Sequence, residues 1–286
     1  MKKATRKRKS NNAVSTIGKI NGSCADNDLV PRKHRLVKIV PLSPDTTLFR
    51  IDCGMSHMPG QFVQASVLGV GEAPVSISSW SDKYLDLSVR RVGNVTGAMH
   101  HMKVGHAIGI RGPFGNGFPM KELEGKNLIL LGGGCGVAPM RGVVEYLAKN
   151  RKKYGEVDLL FGFRSYDDIL FKKEGPKWKK SFNVYLTLDR GSTAGVCSEG
   201  TVVDLLSTVK PSNKNAAVMI CGPHVMMKYS VLKLKELGFK EEQIYVSLER
   251  LMQCGNGRCG HCMVGGKYVC KDGPVFRFDE AKLLED

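Results

Sequence analysis

From about residue 33 to 118 the chain alternates apolar and polar positions in short runs: HRLVKIVPL, TTLFRIDCG, QFVQASVLG, APVSISSW, YLDLSVRRV and AIGIRGPFG. Period-two runs cut by glycine and proline predict a small antiparallel β-barrel. Near residue 125 the pattern changes. NLILLGGG is a continuous apolar strand ending in glycines, VAPMRGVVEYLAKN carries apolar residues at helical spacing, and EVDLLFGFRS is strand-like again. This strand–helix–strand order predicts a parallel α/β domain. FNVYLTLD, AVMICGP and EQIYVSLE supply further strands, and HVMMKYSVLKLKELG supplies a helix closed by Gly238. The expected plan is an arm at 1–32, a barrel at 33–122, an α/β domain at 123–248 and a terminal segment at 249–286.

That terminal segment carries Cys254, Cys259, Cys262 and Cys270 within QCGNGRCGHCMVGGKYVC. Its first three cysteines have the C-x4-C-x2-C spacing of plant-type 2Fe–2S ferredoxins, and thiolates suit iron–sulfur clusters. Gly265 and Gly266 suit a two-residue hairpin turn, which brings Cys270 back to Cys262 and closes a four-thiolate site. Zinc accepts four thiolates as well, but zinc ribbons present two C-x2-C knuckles, so the spacing favours the cluster and leaves zinc as the alternative.

The chain has 286 residues, 42% of them hydrophobic, enough for more than one core. No run approaches eighteen apolar residues, so no membrane span is expected. Nine cysteines without an N-terminal apolar signal point to a reducing, cytoplasmic setting. Net charge is +16, and KKATRKRK at residues 2–9 starts a basic, disordered arm. The body has no recognised nucleic-acid motif, so nucleic acid is not an expected partner. A zinc-binding interaction protein that holds nucleic acid by its arm remains the second reading of these features.

In LILLGGGCGVAPM a strand delivers Gly132, Gly133, Gly134 and Gly136 to the start of a helix. Bare backbone amides and a helix N-terminus suit a pyrophosphate. Val137 stands where the ordinary dinucleotide fingerprint has its third glycine or alanine, and a tight strand-to-helix turn with no ligand would read the same way. A second glycine turn, Cys221-Gly222-Pro223, also lies between strand and helix.

LLGGGCGVAPM, CGP, APVSISS, RRVGNVTGAMH, GPFGNGF and the cysteine pattern occur in the order seen in the ferredoxin–NADP reductase superfamily, which the chain resembles over about residues 33–275. More narrowly it resembles electron-transfer subunits with a C-terminal 2Fe–2S cluster: the hydrogenase or sulfhydrogenase gamma subunits, their counterpart in anaerobic sulfite reductase, and the dihydroorotate dehydrogenase electron-transfer subunit. The resemblance implies FAD on the barrel, NAD(P)H on the α/β domain, a cluster facing a partner redox enzyme subunit, and electron transfer between NAD(P)H and that partner. It places Pro74, Val75, Ser76 and Ile77 beside the isoalloxazine, with Ser76 at its reactive nitrogen. Superfamily members carry an arginine before this segment, where this chain has Ala73, so Arg90 or Arg91 is the candidate replacement. Gly93, Asn94, Val95 and Thr96 match the FAD pyrophosphate segment, and Gly112 the stretch facing the cleft. Gly132 to Gly136 would hold the nicotinamide nucleotide's pyrophosphate, with Cys221, Gly222, Pro223 and Glu249 near the nicotinamide. Arg164, Asp189 and Arg190 fall on the adenosine side.

Overall fold

A computed structural model describes residues 29–191 and 197–281, and side chains to residue 280. The basic arm lies outside the described residues, except for its last four positions. Six antiparallel strands come first: β1 (Arg32–Pro41), β2 (Thr46–Asp52), β3 (Phe62–Val67), β4 (Gly71–Ser76), β5 (Leu85–Arg90) and, after helix α1 (Asn94–His100), β6 (Ala107–Phe114). Their order in the sheet is β4-β3-β6-β1-β2-β5, and a bridge between Ile77 and Leu87 joins its two edges into a barrel. The predicted alternation sets the filling. Leu36, Phe49, Ile51, Val63, Ala65 and Ile110 point inward as one buried cluster, while Gln64 and Arg111 occupy outward positions on the same strands.

A second sheet is built from β7 (Asn127–Gly133), β8 (Val157–Phe163), β9 (Asn183–Leu188), β10 (Ser198–Glu199), β11 (Ala216–Cys221), β12 (Ile244–Ser247) and β15 (Val275–Arg277). Between them run α2 (Val137–Lys149), α3 (Gly175–Trp178), α4 (Val202–Val209) and α5 (His224–Glu236). The strand order is β10-β9-β8-β7-β11-β12-β15, parallel except for β15 against β12. Direction of winding reverses between β7 and β11, so the glycine turns that follow these two strands open side by side at the carboxyl edge of the sheet. Apolar clusters fill both faces, one under α2 and one under α4 and α5. Gly238 adopts φ +81° just beyond α5, as the expected closing glycine.

The cysteine segment forms the expected hairpin, β13 (Met263–Val264) and β14 (Lys267–Tyr268), turning through Gly265 and Gly266. The sequence reading did not foresee helices α1 and α3, and two further features differ from it. The segment ends by returning to the α/β sheet, with Ser247 paired to Val275, and so supplies that sheet with an antiparallel edge. Helix α4 was not foreseen, although Thr201 and Asp204 cap it reciprocally and the T-x-x-D spacing was in the sequence.

The barrel and the α/β unit are joined through Arg141 of α2, which is 5% exposed. Its Nη1 donates to Ser78 O at 2.6 Å and to Asp86 Oδ2 at 3.2 Å, and its Nε donates to Glu174 at 2.8 Å. Glu145 pairs with the remaining nitrogen at 2.9 Å and accepts from the Trp80 amide at 2.7 Å.

Candidate functional site

A cleft of about 1040 Å³ opens where the barrel meets the carboxyl edge of the parallel sheet. Its α/β wall contains Gly133, Gly134, Gly136, Gly222 and Pro223, and its far end contains Arg164 and Asp189. The two glycine turns approach so closely that a Cβ on Gly136 would collide with the backbone of Cys221. Gly134 has φ +52° and faces open space, where a bound anion has room to meet the loop. Gly132 lies just beneath, against Phe161 and Val137.

The barrel wall contributes Ser43, Asp45, Thr46 and Arg90. Of the two candidate arginines only Arg90 lines the cleft; Arg91 is exposed outside it. The Arg90 side chain is 49% exposed and stands 3.6 Å from Asp45. Burial raises the Asp45 carboxyl, but hydroxyls of Thr46 and Ser43, followed by Arg90 and Arg164, outweigh it and hold the group below its ordinary 3.8. Arg164 lies across the cleft, 3.7 Å from Asp45 and 2.9 Å from Asp168. Asp45 therefore links barrel and α/β walls, a role that nothing in its loop sequence signalled. Arg190 is exposed and its amide donates to Arg164 O at 3.1 Å.

Glu249 opens to solvent within the concavity of the cleft, near Arg90. Crowding by surrounding protein raises its carboxyl above the ordinary 4.5, more than Arg90 lowers it. Cys135 also enters the cleft, and burial pushes its thiol up against the opposing pull of Arg90. The Cys221 thiol is buried under the turn and strongly raised by that burial, then by Glu249. It does not line the cleft.

In the segment Pro74 to Ile77, Val75 and Ile77 face the barrel core, and Pro74 and Ser76 take the alternate, outward positions. The Ser76 hydroxyl has no hydrogen-bond partner among the described residues. Gly93 precedes α1 as its N-cap, and Thr96 Oγ1 accepts from the Val92 and Gly93 amides at 3.0 Å. Asn94 is exposed and Val95 half-buried beside Gly71. Gly112 follows Arg111 near the barrel mouth, with its α-carbon beside Phe62 and Phe114.

The four cysteines gather beyond the outer face of the barrel. Cys262 and Cys270 are 2% exposed, Cys254 is half-buried and Cys259 exposed. They associate in two pairs, Cys254 with Cys259 and Cys262 with Cys270. Among the described residues no three metal-binding side chains are grouped to hold a single ion. Backbone amides already point at sulfur: Gly257 N donates to Cys270 Sγ at 3.1 Å, and Arg258 N and Cys259 N to Cys254 Sγ at 3.3 and 3.4 Å. Burial raises the Cys254 thiol, yet the amides of Arg258, Cys259 and Asn256 bring it down to about 6. Cys270 goes the other way, up to about 12, through burial and then its bond with Cys262. A donor set of four thiols in two pairs, ringed by amide hydrogens, fits a two-iron cluster with two thiolates on each iron.

The barrel holds this loop by residues that sequence reasoning missed. Arg111, on β6, donates to Cys254 O at 2.8 Å and is clamped by Glu72 of β4 at 2.5 Å. A charge within a strand of apolar residues, as in AIGIRGPFG, was the available signal.

Comparison with known proteins decides the family. Residues 130–231 match the oxidoreductase NAD-binding domain, and residues 249–282 match the iron–sulfur cluster binding domain of dihydroorotate dehydrogenase B. The chain is 41% identical over 274 residues to the sulfhydrogenase 2 gamma subunit of Pyrococcus furiosus, covering 86% of this chain and 94% of that protein. It is 34% identical to a probable dihydroorotate dehydrogenase B (NAD(+)) electron transfer subunit of Methanocaldococcus jannaschii, covering 88% of this chain and 91% of that one. The chain belongs to this family of electron-transfer subunits. Among solved structures, an NADH-dependent reduced ferredoxin–NADP oxidoreductase superposes with TM-score 0.72 at 28% identity, over 88% of this chain and 92% of that one. The FAD/NAD-binding domain of a Vibrio cholerae nitric oxide dioxygenase, at 22% identity and TM-score 0.67 over 76% of this chain and 98% of its own, shares the fold. The family model matching the cysteine segment favours iron–sulfur over the zinc alternative. No helix among the described residues is long and apolar enough to cross a membrane.

Proposed function

We propose that this protein is a cytoplasmic electron-transfer flavoprotein subunit passing electrons between NAD(P)H and a partner redox enzyme, through FAD and a 2Fe–2S cluster. The single observation that carries the reading is spatial. A nucleotide-sized cleft with paired glycine turns and an amide-ringed four-cysteine loop both abut one barrel. Kinship with sulfhydrogenase gamma subunits supports a partner of the hydrogenase or sulfur-reductase kind.

In this reading residues 33–122 carry FAD, 123–248 the nicotinamide nucleotide and 249–286 the cluster. When bound, these groups supply the exchange between two-electron hydride transfer and one-electron steps. The chain's own work is placement. Pro74 and Ser76 present the outward side of β4 to the flavin ring, with Val75 and Ile77 anchoring it in the barrel. Arg90 replaces the arginine missing at Ala73, and Gly93 to Thr96 begin α1 beside the FAD pyrophosphate. Amides of the Gly132 to Gly136 turn hold the nucleotide pyrophosphate, and Arg164 and Asp189, with Arg190 beside them, meet its adenosine.

Gly222 and Pro223, backed by buried Cys221, form the platform for the nicotinamide. Glu249 lines the cleft beside this platform, its carboxyl raised by the surrounding protein more than Arg90 lowers it. Cys254, Cys259, Cys262 and Cys270 would hold the cluster by their thiolates.

Anaerobic purification tests this directly, with visible spectra before and after one equivalent of NADH or NADPH and with metal analysis. Flavin and iron–sulfur absorption that bleaches with a nucleotide is the expected result. A colourless protein containing zinc refutes the reading.

A further inference from the structure

Gln64 is a buried amide with nothing to bond. It is 1% exposed, and neither Nε2 nor Oε1 has a hydrogen-bond partner among the described residues. Native proteins pair the large majority of such groups, because an unpaired buried one keeps its full desolvation cost. Three of the four buried side-chain atoms in this condition belong to Gln64 and to Asn256 of the cysteine loop. Among the described residues, most of this unsatisfied polarity therefore falls on one strand and one loop, with Ser230 the exception.

Position explains why these two belong together. Gln64 is paired with Pro74 on one side and with Arg111 on the other, so three outward residues form a row across β4, β3 and β6. One end of the row is the segment assigned to the flavin. At the other end Arg111 donates to Cys254 O. The middle is covered by Gly255, the residue after Cys254: a Cβ built there would come 3.2 Å from Gln64 Cγ and 3.2 Å from the Phe114 ring. A side chain at residue 255 would make these neighbours give by a few tenths of an ångström, at a φ of +75° that suits glycine. Phe62 and Phe114, on the same two strands, stand with ring centroids 5.8 Å apart.

We propose that Gln64 is a positioning and tuning residue for the cluster: its amide N–H donates to the cluster's sulfur atoms and stabilises their negative charge. This rests on the electron-transfer reading above. A mainly structural glutamine would bond to the backbone it packs against, and this one does not. A sulfur-rich anion next to the loop that covers it supplies the acceptor an N–H requires, and hydrogen bonds to sulfur raise the reduction potential of such centres.

The test is a redox titration of the whole protein followed by electron paramagnetic resonance, comparing wild type with Gln64→Leu and Gln64→Glu, with iron content and the flavin potential measured in parallel. Leucine has nearly the same volume and carries no polar atom, so as a purely structural change it should leave stability equal or higher. The expected result is full iron content, an unmoved flavin potential and a cluster that is harder to reduce. The loss is about tenfold in the reduction equilibrium, or roughly 59 mV for a one-electron couple. Gln64→Glu, which substitutes an acceptor for the donor, should lower the cluster potential further; if it prevents loading, Gln64→Leu still decides. An unchanged cluster potential and spectrum in Gln64→Leu overturns the proposal. So does a shift confined to the flavin, which would assign the amide to that ring. Absence of any iron–sulfur signal in the wild type would instead refute the electron-transfer reading itself.

Discussion

Replacing Arg141 by methionine removes the cation at the junction of barrel and α/β unit while keeping most of its apolar stem. Four acceptors lose a donor: Ser78 O, Asp86, Glu145 and Glu174. Removing one member of a buried ion pair costs about 3–5 kcal/mol. Asp86, fully buried, keeps Arg50 at 2.7 Å, and the two glutamates are 23% and 29% exposed and can take up water, so the low end applies. About 3 kcal/mol corresponds to a fall in melting temperature of roughly 6–12 °C for a chain near this size.

The pH dependence has a definite sign. Burial raises Glu145 above its ordinary 4.5, with Arg141 pulling it down as the next cause. A carboxyl raised in the folded state adds stability that is full below its unfolded value and lost as pH rises through the folded one. Without Arg141 that folded value climbs further. The variant's deficit should therefore be largest above neutrality and shrink towards pH 5. Trp80 provides the probe, since its ring lies 4.7 Å from Tyr146 of α2 across this junction. Thermal unfolding followed by tryptophan fluorescence at several pH values is the assay. A fall under about 2 °C at pH 7, or a deficit that grows on acidification, would refute the assignment of Arg141 as the connecting cation.

Cys259→Ser should lose the cluster while retaining flavin, read as iron content and electron paramagnetic resonance; full iron with an unaltered signal would overturn the ligand assignment. Gly134→Val places a β-branched residue at φ +52°, at a cost of about 1–2 kcal/mol, and fills the open space before the loop, so nucleotide KM should rise at least about tenfold. Stopped-flow flavin reduction with unchanged concentration dependence would refute the pyrophosphate site. For Glu249, whose carboxyl is raised, wild-type affinity for the anionic nucleotide should weaken as pH rises through that value, and Glu249→Gln should flatten the profile. Identical profiles in the two proteins would separate Glu249 from the nucleotide.

The legible part of this protein follows from local rules. Alternation marked the barrel strands, the apolar run before Gly132 marked β7, and Gly265-Gly266 marked the cysteine hairpin. The polar contacts between units were hidden for a physical reason. Gln64, Glu72 and Arg111 stand at outward positions of barrel strands, where polar side chains normally meet water. A loop about 140 residues beyond Arg111 and about 190 beyond Gln64 in the sequence covers both. Arg90 and Arg91 were indistinguishable because both are plausible cations at a strand end, and the cleft selects one. Strand β15 has three residues, too few for a period to emerge.

That short strand bears on how the protein is made. Ser247 and Val275 are partners in one sheet, so the intervening stretch is an excursion with both ends fastened to the nucleotide-binding half. Ring closure is accomplished by strand pairing, and iron need not supply it. During synthesis the last edge of the sheet can form only after the whole cysteine stretch has left the ribosome. Any iron would then be delivered to a loop whose two ends the sheet already holds together.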